Sequence, residues 1–289
     1  MSQNQANNQP MRGKVCVVTG ATSGIGQVTA AALAAQGAHV IVVGRNRAKA
    51  QQVVGEIRRQ SGNEAVWYLL ADFSDLQQVR ELAAAFSAQY SQLDVLVNNA
   101  GTYFNTRHPA PGGVEMTFHV NHLAHFLLTN LLLDTLTASA PARIVNVTSR
   151  AHEYDNMDFD DLGFERSYFG MKAYARSKLA NLLFTYELAR RLAGSGVTVN
   201  AVHPGPVATD IWRTNFPVLG PAIKWVMSLF ALTPEEGADT LIYLASSPDV
   251  KGVTGKYFVE REAIASSPLS YDEQVAARLW EVSEQLTAV

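Results

Sequence analysis

Tyr174 and Lys178 stand four residues apart in Tyr174-Ala-Arg-Ser-Lys178, so on a helix both side chains leave one face toward one place. A phenol of ordinary pKa ~10 is a poor base at neutral pH, but an ammonium beside it favours the phenolate and brings it toward a useful range. Such a pair can give or take a proton. A second signal lies near the N-terminus, where Thr19-Gly20-Ala21-Thr22-Ser23-Gly24-Ile25-Gly26 runs straight into an alanine-rich helix. Glycine amides at a helix N-terminus can cradle a pyrophosphate. The spacing, Gly-x-x-x-Gly-x-Gly, differs from the common dinucleotide fingerprint, and glycines also mark ordinary strand-to-helix turns. A lone Tyr on a helix is usually a core residue and a lone Ser after a strand a turn former. Their joint occurrence with Asn98-Asn99-Ala100-Gly101 and Ser149, each after an apolar run, carries the chemical reading.

Those residues need a frame that gathers distant segments. From Lys14 onward short β-branched runs alternate with helical stretches: Val15–Gly20, a helix over Gln27–Gln36, His39–Gly44, and a helix over Ala48–Gln60. Ala65–Leu70, Leu93–Val97, Arg143–Thr148, Val197–Val202 and Gly255–Val259 continue the series with little polar alternation, as strands buried on both faces do. The helices between them are long enough for right-handed crossovers. The sequence therefore predicts an α/β fold, a Rossmann-type doubly wound parallel sheet of about seven strands flanked by helices. No Pro/Gly-rich linker and no repeat divides the chain, so residues 13–289 read as one dinucleotide-binding catalytic domain after a disordered polar tail over residues 1–12.

Together, the Thr19–Gly26 turn, Asn98–Gly101, Ser149 and Tyr174–Lys178 closely resemble the short-chain dehydrogenase/reductase family. The resemblance runs from Lys14 to the C-terminus and includes His203-Pro204-Gly205-Pro206-Val207-Ala208-Thr209. VNHLAHFLLTNLLL, YARSKLANLLFTYELARRL, GKYF and RLWEVSEQL are most similar to the retinol dehydrogenase and WW-domain oxidoreductase branch. This resemblance implies that Tyr174 is the general acid or base and that Lys178 also holds the nicotinamide ribose. Ser149 would hydrogen-bond the substrate oxygen where negative charge develops. Asn121, in a helix beginning near Met116, would hold a water linking Lys178 to solvent. The cofactor is implied to lie on Gly20, Thr22, Ser23, Gly24, Ile25 and Gly26, with Asp72 and Phe73 at the adenine and Asn99, Ala100 and Gly101 along its path. Pro204, Gly205, Val207 and Thr209 would reach the nicotinamide amide, and Tyr174 and Lys178 its ribose. NAD-specific relatives place an acid at the end of the second strand. Here Gly44-Arg45-Asn46-Arg47 offers no carboxylate to repel a phosphate, and Arg45 can pair with one bidentately, so NADP(H) is the expected cofactor. The alternative is that Arg45 and Arg47 simply solvate a loop.

A net charge of -3 with no basic block leaves no cationic face for nucleic acid. The single cysteine, Cys16, sits among Val15, Val17 and Val18 and reads as a small buried apolar side chain. MSQNQANNQP lacks the charge and apolar core of a targeting segment. No run approaches the ~18 apolar residues of a membrane span, so the cytoplasm is the expected location. His119, His122 and His125, at three-residue steps, rotate around their helix and make a poor metal site. Asp155, Asp158, Asp160 and Asp161 read as a solvated loop, and no metal is expected. The stretch from Ile211 to Leu232, with Trp212, Phe216, Trp225, Met227 and Phe230, reads as a flap over the substrate; a surface helix or a membrane-surface element are the alternatives. The helix from Tyr174 to Leu192 is apolar over more of its circumference than one sheet covers, which predicts a homodimer or homotetramer; complete burial within the monomer is the alternative.

The expected function is hydride transfer between NADP(H) and a lipophilic alcohol, ketone or aldehyde of retinoid-, steroid- or aromatic-carbonyl-like kind, as in a short-chain alcohol dehydrogenase or carbonyl reductase. A catalytically silent dinucleotide-binding scaffold or sensor is one alternative, opposed by the intact Ser149, Tyr174 and Lys178 set. A sugar-nucleotide epimerase or dehydratase is another, for whose larger C-terminal substrate domain little chain remains.

Overall fold

The computed structural model describes residues 9–207 and 232–289. Val-Cys-Val-Val-Thr, buried at every position, forms β1 (Val15–Thr19), which pairs in parallel with β2 (His39–Gly44) on one side and β4 (Val95–Asn98) on the other. With β3 (Val66–Leu70), β5 (Ala142–Val147), β6 (Val197–His203), β7 (Lys256–Val259) and β8 (Glu262–Ile264) the sheet order is β3-β2-β1-β4-β5-β6-β7-β8. The helices are α1 (Gly24–Ala35), α2 (Arg47–Ser61), α3 (Leu76–Ser87), α4, α5 (Leu133–Ala138), α6 (Gly170–Arg191), α7 (Pro234–Ser246) and α8 (Glu273–Thr287). Of these, α4 runs from Met116–Phe118 through a π-helical turn at His119–Leu123 into Ala124–Leu131.

The strands read as unbroken apolar runs because helices cover both faces. Cys16, Val18, Val40 and Val42 pack against Leu33 of α1, Ile57 of α2 and Leu241 of α7. The alternate residues Val17, Ile41 and Val43 meet Val79 and Phe86 of α3, Leu127 of α4 and Leu188 of α6.

The expected doubly wound sheet is present, and three details are refined. The sheet has an eighth strand: β8 pairs antiparallel to β7 through a two-residue turn at Glu260 and Arg261, both with positive φ (50° and 65°). Such hairpins are normally signalled by Asn-Gly or Asp-Gly. Here the turn is held from outside, by Arg261 N–H donating to Thr240 Oγ1 at 3.1 Å and its guanidinium pairing with Asp239. The tail expected over residues 1–12 does not reach Met11, which is buried and donates its N–H to the Gln36 carbonyl at 3.0 Å.

The third detail concerns the apolar circumference of α6, for which an oligomer partner and burial within the monomer are the two readings. It is covered from within the chain. α8 lays Ala276 and Leu279 on Phe118, Leu123, Leu179 and Leu183. Trp280 meets Phe126 edge-on at 4.9 Å and Phe184 at 5.8 Å, with the Arg191 guanidinium 4.0 Å over its ring. Beside it, Ser283 Oγ donates to the Leu279 carbonyl and so accepts from His122 Nε2 at 2.9 Å. Burial pushes His122 down to about 3, so the ring is neutral and carries one N–H. Ser283→Ala strands that donor in the core and is expected to lower stability by ~1–2 kcal/mol. The measurement is urea unfolding: a lower midpoint at constant slope is expected, and an unchanged midpoint would remove the contact from the stability of this face.

Candidate active site

Because the first seven strands run parallel, their carboxyl ends share one edge, and that edge carries the residues picked out in the sequence. Gly20–Gly26 follows β1, Arg45 follows β2, Asp72 and Phe73 follow β3, and Asn99–Gly101 follows β4. Ser149 follows β5, and Pro204, Gly205 and Val207 follow β6. Strand order reverses between β1 and β4, where open sheets of this kind form their ligand crevice. Thr209 and the expected flap as far as residue 231 lie outside the described residues.

α6 delivers Tyr174 and Lys178 to the crevice. Thr148 Oγ1 donates to the Lys178 carbonyl at 2.7 Å and Asn181 Nδ2 to the Val147 carbonyl at 3.1 Å, pinning the helix to the end of β5. The Lys178 ammonium donates to the same Val147 carbonyl at 3.2 Å and lies 5.4 Å from the centre of the Tyr174 ring. Burial pulls Lys178 down to about 8 and pushes Tyr174 up to about 12, the latter against a hydrogen bond with Ser149 that lowers it. A phenol brought toward neutrality by Lys178 is therefore not what the chain alone provides. Burial disfavours both charges, and at pH 7 Tyr174 is a neutral proton donor. Ser149 Oγ accepts the Ala151 N–H at 3.2 Å, which leaves its own proton for the oxygen of Tyr174 or of a substrate.

Asn121 sits on the π-helical turn of α4, a register change that recurs at functional sites. Its Oδ1 accepts the Thr102 N–H at 2.7 Å, and its Nδ2 donates to the Thr102 carbonyl and to Ser177 Oγ, both at 3.0 Å. The amide implied to hold a water is thus a clamp joining α4, α6 and the loop after β4. Gly101 lies in that clamp: a Cβ there would come within 3.4 Å of Asn121 Oδ1 and 3.9 Å of Lys178 Nζ.

Several contacts essential to this arrangement were not legible in the sequence. Thr19 Oγ1 accepts the N–H groups of Asn99 and Ala100, each at 2.9 Å, and meets His125 Nε2 at 2.9 Å. Burial pushes His125 down to about 4, so it is neutral; its Nδ1 donates to the Asn121 carbonyl at 3.1 Å. His125 therefore ties the glycine turn and the Asn99 turn to Asn121. Tyr103 stands edge-on to Tyr174 at 6.0 Å and forms an aromatic wall beside it. Asp155, read as part of a solvated loop, is instead buried in an ion pair with Arg176 at 3.0 Å, and the Arg176 guanidinium lies 4.0 Å over the Phe164 ring.

The fit of a dinucleotide rests on α1. Side chains of Asn46, Asp75, Thr233 and Asp272 cap α2, α3, α7 and α8, whereas Ser23, at the N-cap of α1, makes no such bond. The first amides of α1 and the Ser23 hydroxyl form a donor cradle suited to a diphosphate. Gly26 lets α1 approach the Asn99 turn, since a Cβ there would fall 2.4 Å from Asn99 Nδ2 and 2.6 Å from the Gly20 carbonyl oxygen.

At the adenosine end, exposed Arg45 points its Nη1 at Asp72 Oδ2, 3.5 Å away. A carboxylate is therefore within reach of Arg45 after all, supplied by the third strand rather than the second. Burial pushes Asp72 up, but hydrogen bonds from the Ser74 N–H and hydroxyl and the charge of Arg45 outweigh it and hold the group low. Phe73 is a core residue, buried edge-on against His125 at 5.0 Å, so only its backbone is left for an adenine. Val207 is likewise buried, packed where a Cβ on Gly237 would fall 2.4 Å from its Cγ2.

A family profile of the short chain dehydrogenases matches residues 14–218. Human retinol dehydrogenase 14 is 45% identical over 294 residues, covering 96% of this chain and 88% of the relative. The crystal structure of an uncharacterised Mycobacterium paratuberculosis protein matches 98% of this chain and 97% of its own at TM-score 0.78 and 34% identity. A short chain dehydrogenase of Escherichia coli CFT073, solved in complex with NADPH, matches 87% of this chain and 98% of its own at TM-score 0.68 and 25% identity.

Proposed function

Since the chain belongs to the short-chain dehydrogenase family, we propose that it is an NADP(H)-dependent oxidoreductase that reduces a lipophilic, retinoid-like aldehyde or ketone to the alcohol. The observation that carries this reading is the meeting of Ser149, neutral Tyr174 and Lys178 at one crevice. The human retinol dehydrogenase, the NADPH held by the Escherichia coli enzyme and the apolar content of residues 211–232 support the substrate and cofactor assignments.

When bound, the nicotinamide supplies the hydride. Ser149 hydrogen-bonds the substrate oxygen as negative charge develops there. Tyr174 gives that oxygen its proton, and the ammonium of Lys178 stabilises the phenolate left behind. Reduction starts from the protonation state the chain already holds; oxidation would first require a phenolate. The α1 amides and Ser23 would hold the diphosphate, Lys178 the nicotinamide ribose and Arg45 a 2′-phosphate.

Following NADPH absorbance with retinal, steroid ketones and aromatic aldehydes tests this. Tight NADPH binding with no turnover of any of them would favour the silent scaffold instead. The pH profile gives a second check. Lys178, pulled down to about 8, is charged below that pH and neutral above it, while Tyr174, at about 12, stays protonated. The kcat/KM for reduction should fall as pH rises through about 8. A profile flat well into the alkaline range would show that the charge of Lys178 is not used.

A further inference from the structure

His152 takes no part in the mechanism above, yet both of its ring nitrogens are engaged at the site. Ser149 opens a short 3-10 turn, Arg150–Tyr154, and its carbonyl accepts two bonds from one residue: the His152 backbone N–H at 3.1 Å and His152 Nδ1 at 2.6 Å. His152 Nε2 accepts the backbone N–H of Ser267 at 3.0 Å, from the segment before α8. A carbonyl only accepts and an amide N–H only donates, so these contacts require the neutral Nδ1–H tautomer. The ring is 1% exposed and stands edge-on to Tyr257 at 5.4 Å.

The segment that holds the ring is itself anchored to the catalytic helix. Ser266 Oγ lies 2.7 Å from the hydroxyl of Tyr186, on α6, and 2.6 Å from Ser270 Oγ, while the Ser266 N–H donates to the Tyr271 hydroxyl at 3.0 Å. A closed circuit results. It runs from Ser149 through His152 and Ser267 to Ser266, then through Tyr186 along α6 to Tyr174 and across to Ser149. The two residues that must share one substrate oxygen are thereby referenced to the same C-terminal segment.

We propose that His152 is a positioning residue for Ser149: braced by Ser267, its imidazole fixes the Ser149 backbone and so aims the Ser149 hydroxyl at the substrate oxygen. The inference rests on the proposed function. The contacts of Ser149 Oγ, with the Ala151 N–H at 3.2 Å and with Tyr174, act on the hydroxyl, whereas the two bonds from His152 to the Ser149 carbonyl constrain the backbone that carries it. Small displacements of a catalytic group are enough to reduce rates about 10²-fold.

Two substitutions separate the two bonds of the ring. His152→Asn keeps a donor near the Nδ1 position, whereas His152→Gln reaches the Nε2 position and loses the donor to Ser149. The expected result is a roughly ten- to hundredfold fall in kcat for His152→Gln, with KM and NADPH affinity nearly unchanged, and a much smaller fall for His152→Asn. Equal losses in both variants, an unchanged kcat in His152→Gln, or losses shared by kcat, KM and cofactor binding would overturn the proposal. The tautomer provides a check that needs neither turnover nor the Gln variant. In protein carrying 15N-histidine, His152 should show a protonated Nδ1 and a bare Nε2 at neutral pH, assigned by the signal missing from His152→Asn. An Nε2–H tautomer would overturn the geometry. A parent enzyme inactive on every carbonyl would defeat the proposed function and this inference together, whereas an active parent with an unaffected His152→Gln variant would defeat this inference alone.

Discussion

Tyr174→Phe is expected to reduce kcat for carbonyl reduction by ~10²–10⁴-fold while leaving NADPH affinity nearly intact, the range associated with loss of a general acid. The substitution is clean because almost everything the side chain does structurally belongs to its ring. The edge-on contact with Tyr103 at 6.0 Å and the approach of Lys178 Nζ to 5.4 Å from the ring centre both survive. Only the hydroxyl is lost, and with it the hydrogen bond from Ser149 and the proton that burial keeps in place to about 12. Ser149 remains to stabilise the developing charge, which sets a residual rate above zero. Substituting Lys178 would be less informative, since the Val147 carbonyl would lose one of its two side-chain donors, leaving only Asn181. Steady-state kinetics with cofactor titration decides the matter, and activity within about threefold of the parent would remove Tyr174 from the mechanism.

Why the sequence revealed some of this and not the rest follows from where each signal resides. His39–Gly44 coincides with β2 because a strand covered on both faces must be apolar at successive positions. Leu93 was counted into the fourth strand, yet β4 begins at Val95. The residue between them, Asp94, is buried and accepts the Val15 N–H at 2.8 Å, so burial extends beyond the strand pairing. β8 was invisible because Glu260 and Arg261 adopt left-handed conformations imposed by Thr240 and Asp239, residues that only the fold brings near.

The same distinction applies to the site. The spacing of Tyr174 and Lys178 predicts a shared face, and the resemblance supplied Ser149 and Asn121. Spacing cannot predict that burial would outweigh the ammonium in setting the state of the phenol. Nor can it predict that Asn121 would spend its amide on Thr102 and Ser177. The apolar circumference of α6 was legible as something needing a cover, but a hydrophobic surface does not name what covers it. RLWEVSEQL, which supplies Trp280 and Ser283, was read only as a family resemblance.

Arg45 is expected to set the cofactor choice, and the structure changes how that should be tested. Gly44→Asp, the obvious way to install an acid beside the expected ribose position, is a poor probe: its Cβ would fall 2.5 Å from Thr22 Cγ2, disturbing the turn proposed to hold the diphosphate. Arg45 itself is 76% exposed, so Arg45→Ala and Arg45→Asp alter charge without repacking. Its pairing with Asp72 at 3.5 Å is a surface contact of the kind worth ~0–1 kcal/mol, a small opposing term when a phosphate arrives. A charge-assisted contact to the 2′-phosphate is worth ~1.5–3 kcal/mol, so Arg45→Ala should weaken NADPH by roughly ten- to a hundredfold and leave NADH nearly unchanged. Arg47, two residues on, could blunt that loss only by giving up the Tyr68 hydroxyl, to which its Nη1 donates at 3.3 Å. Arg45→Asp should go further and invert the preference, because the new carboxylate joins Asp72 in repelling a phosphate while accepting hydrogen bonds from both ribose hydroxyls. Since the contact is exposed, the NADPH advantage of the parent should also shrink as salt is raised. Dissociation constants for both cofactors, on the parent and both variants at two ionic strengths, settle the assignment: a parent that binds NADH as tightly as NADPH would defeat it outright.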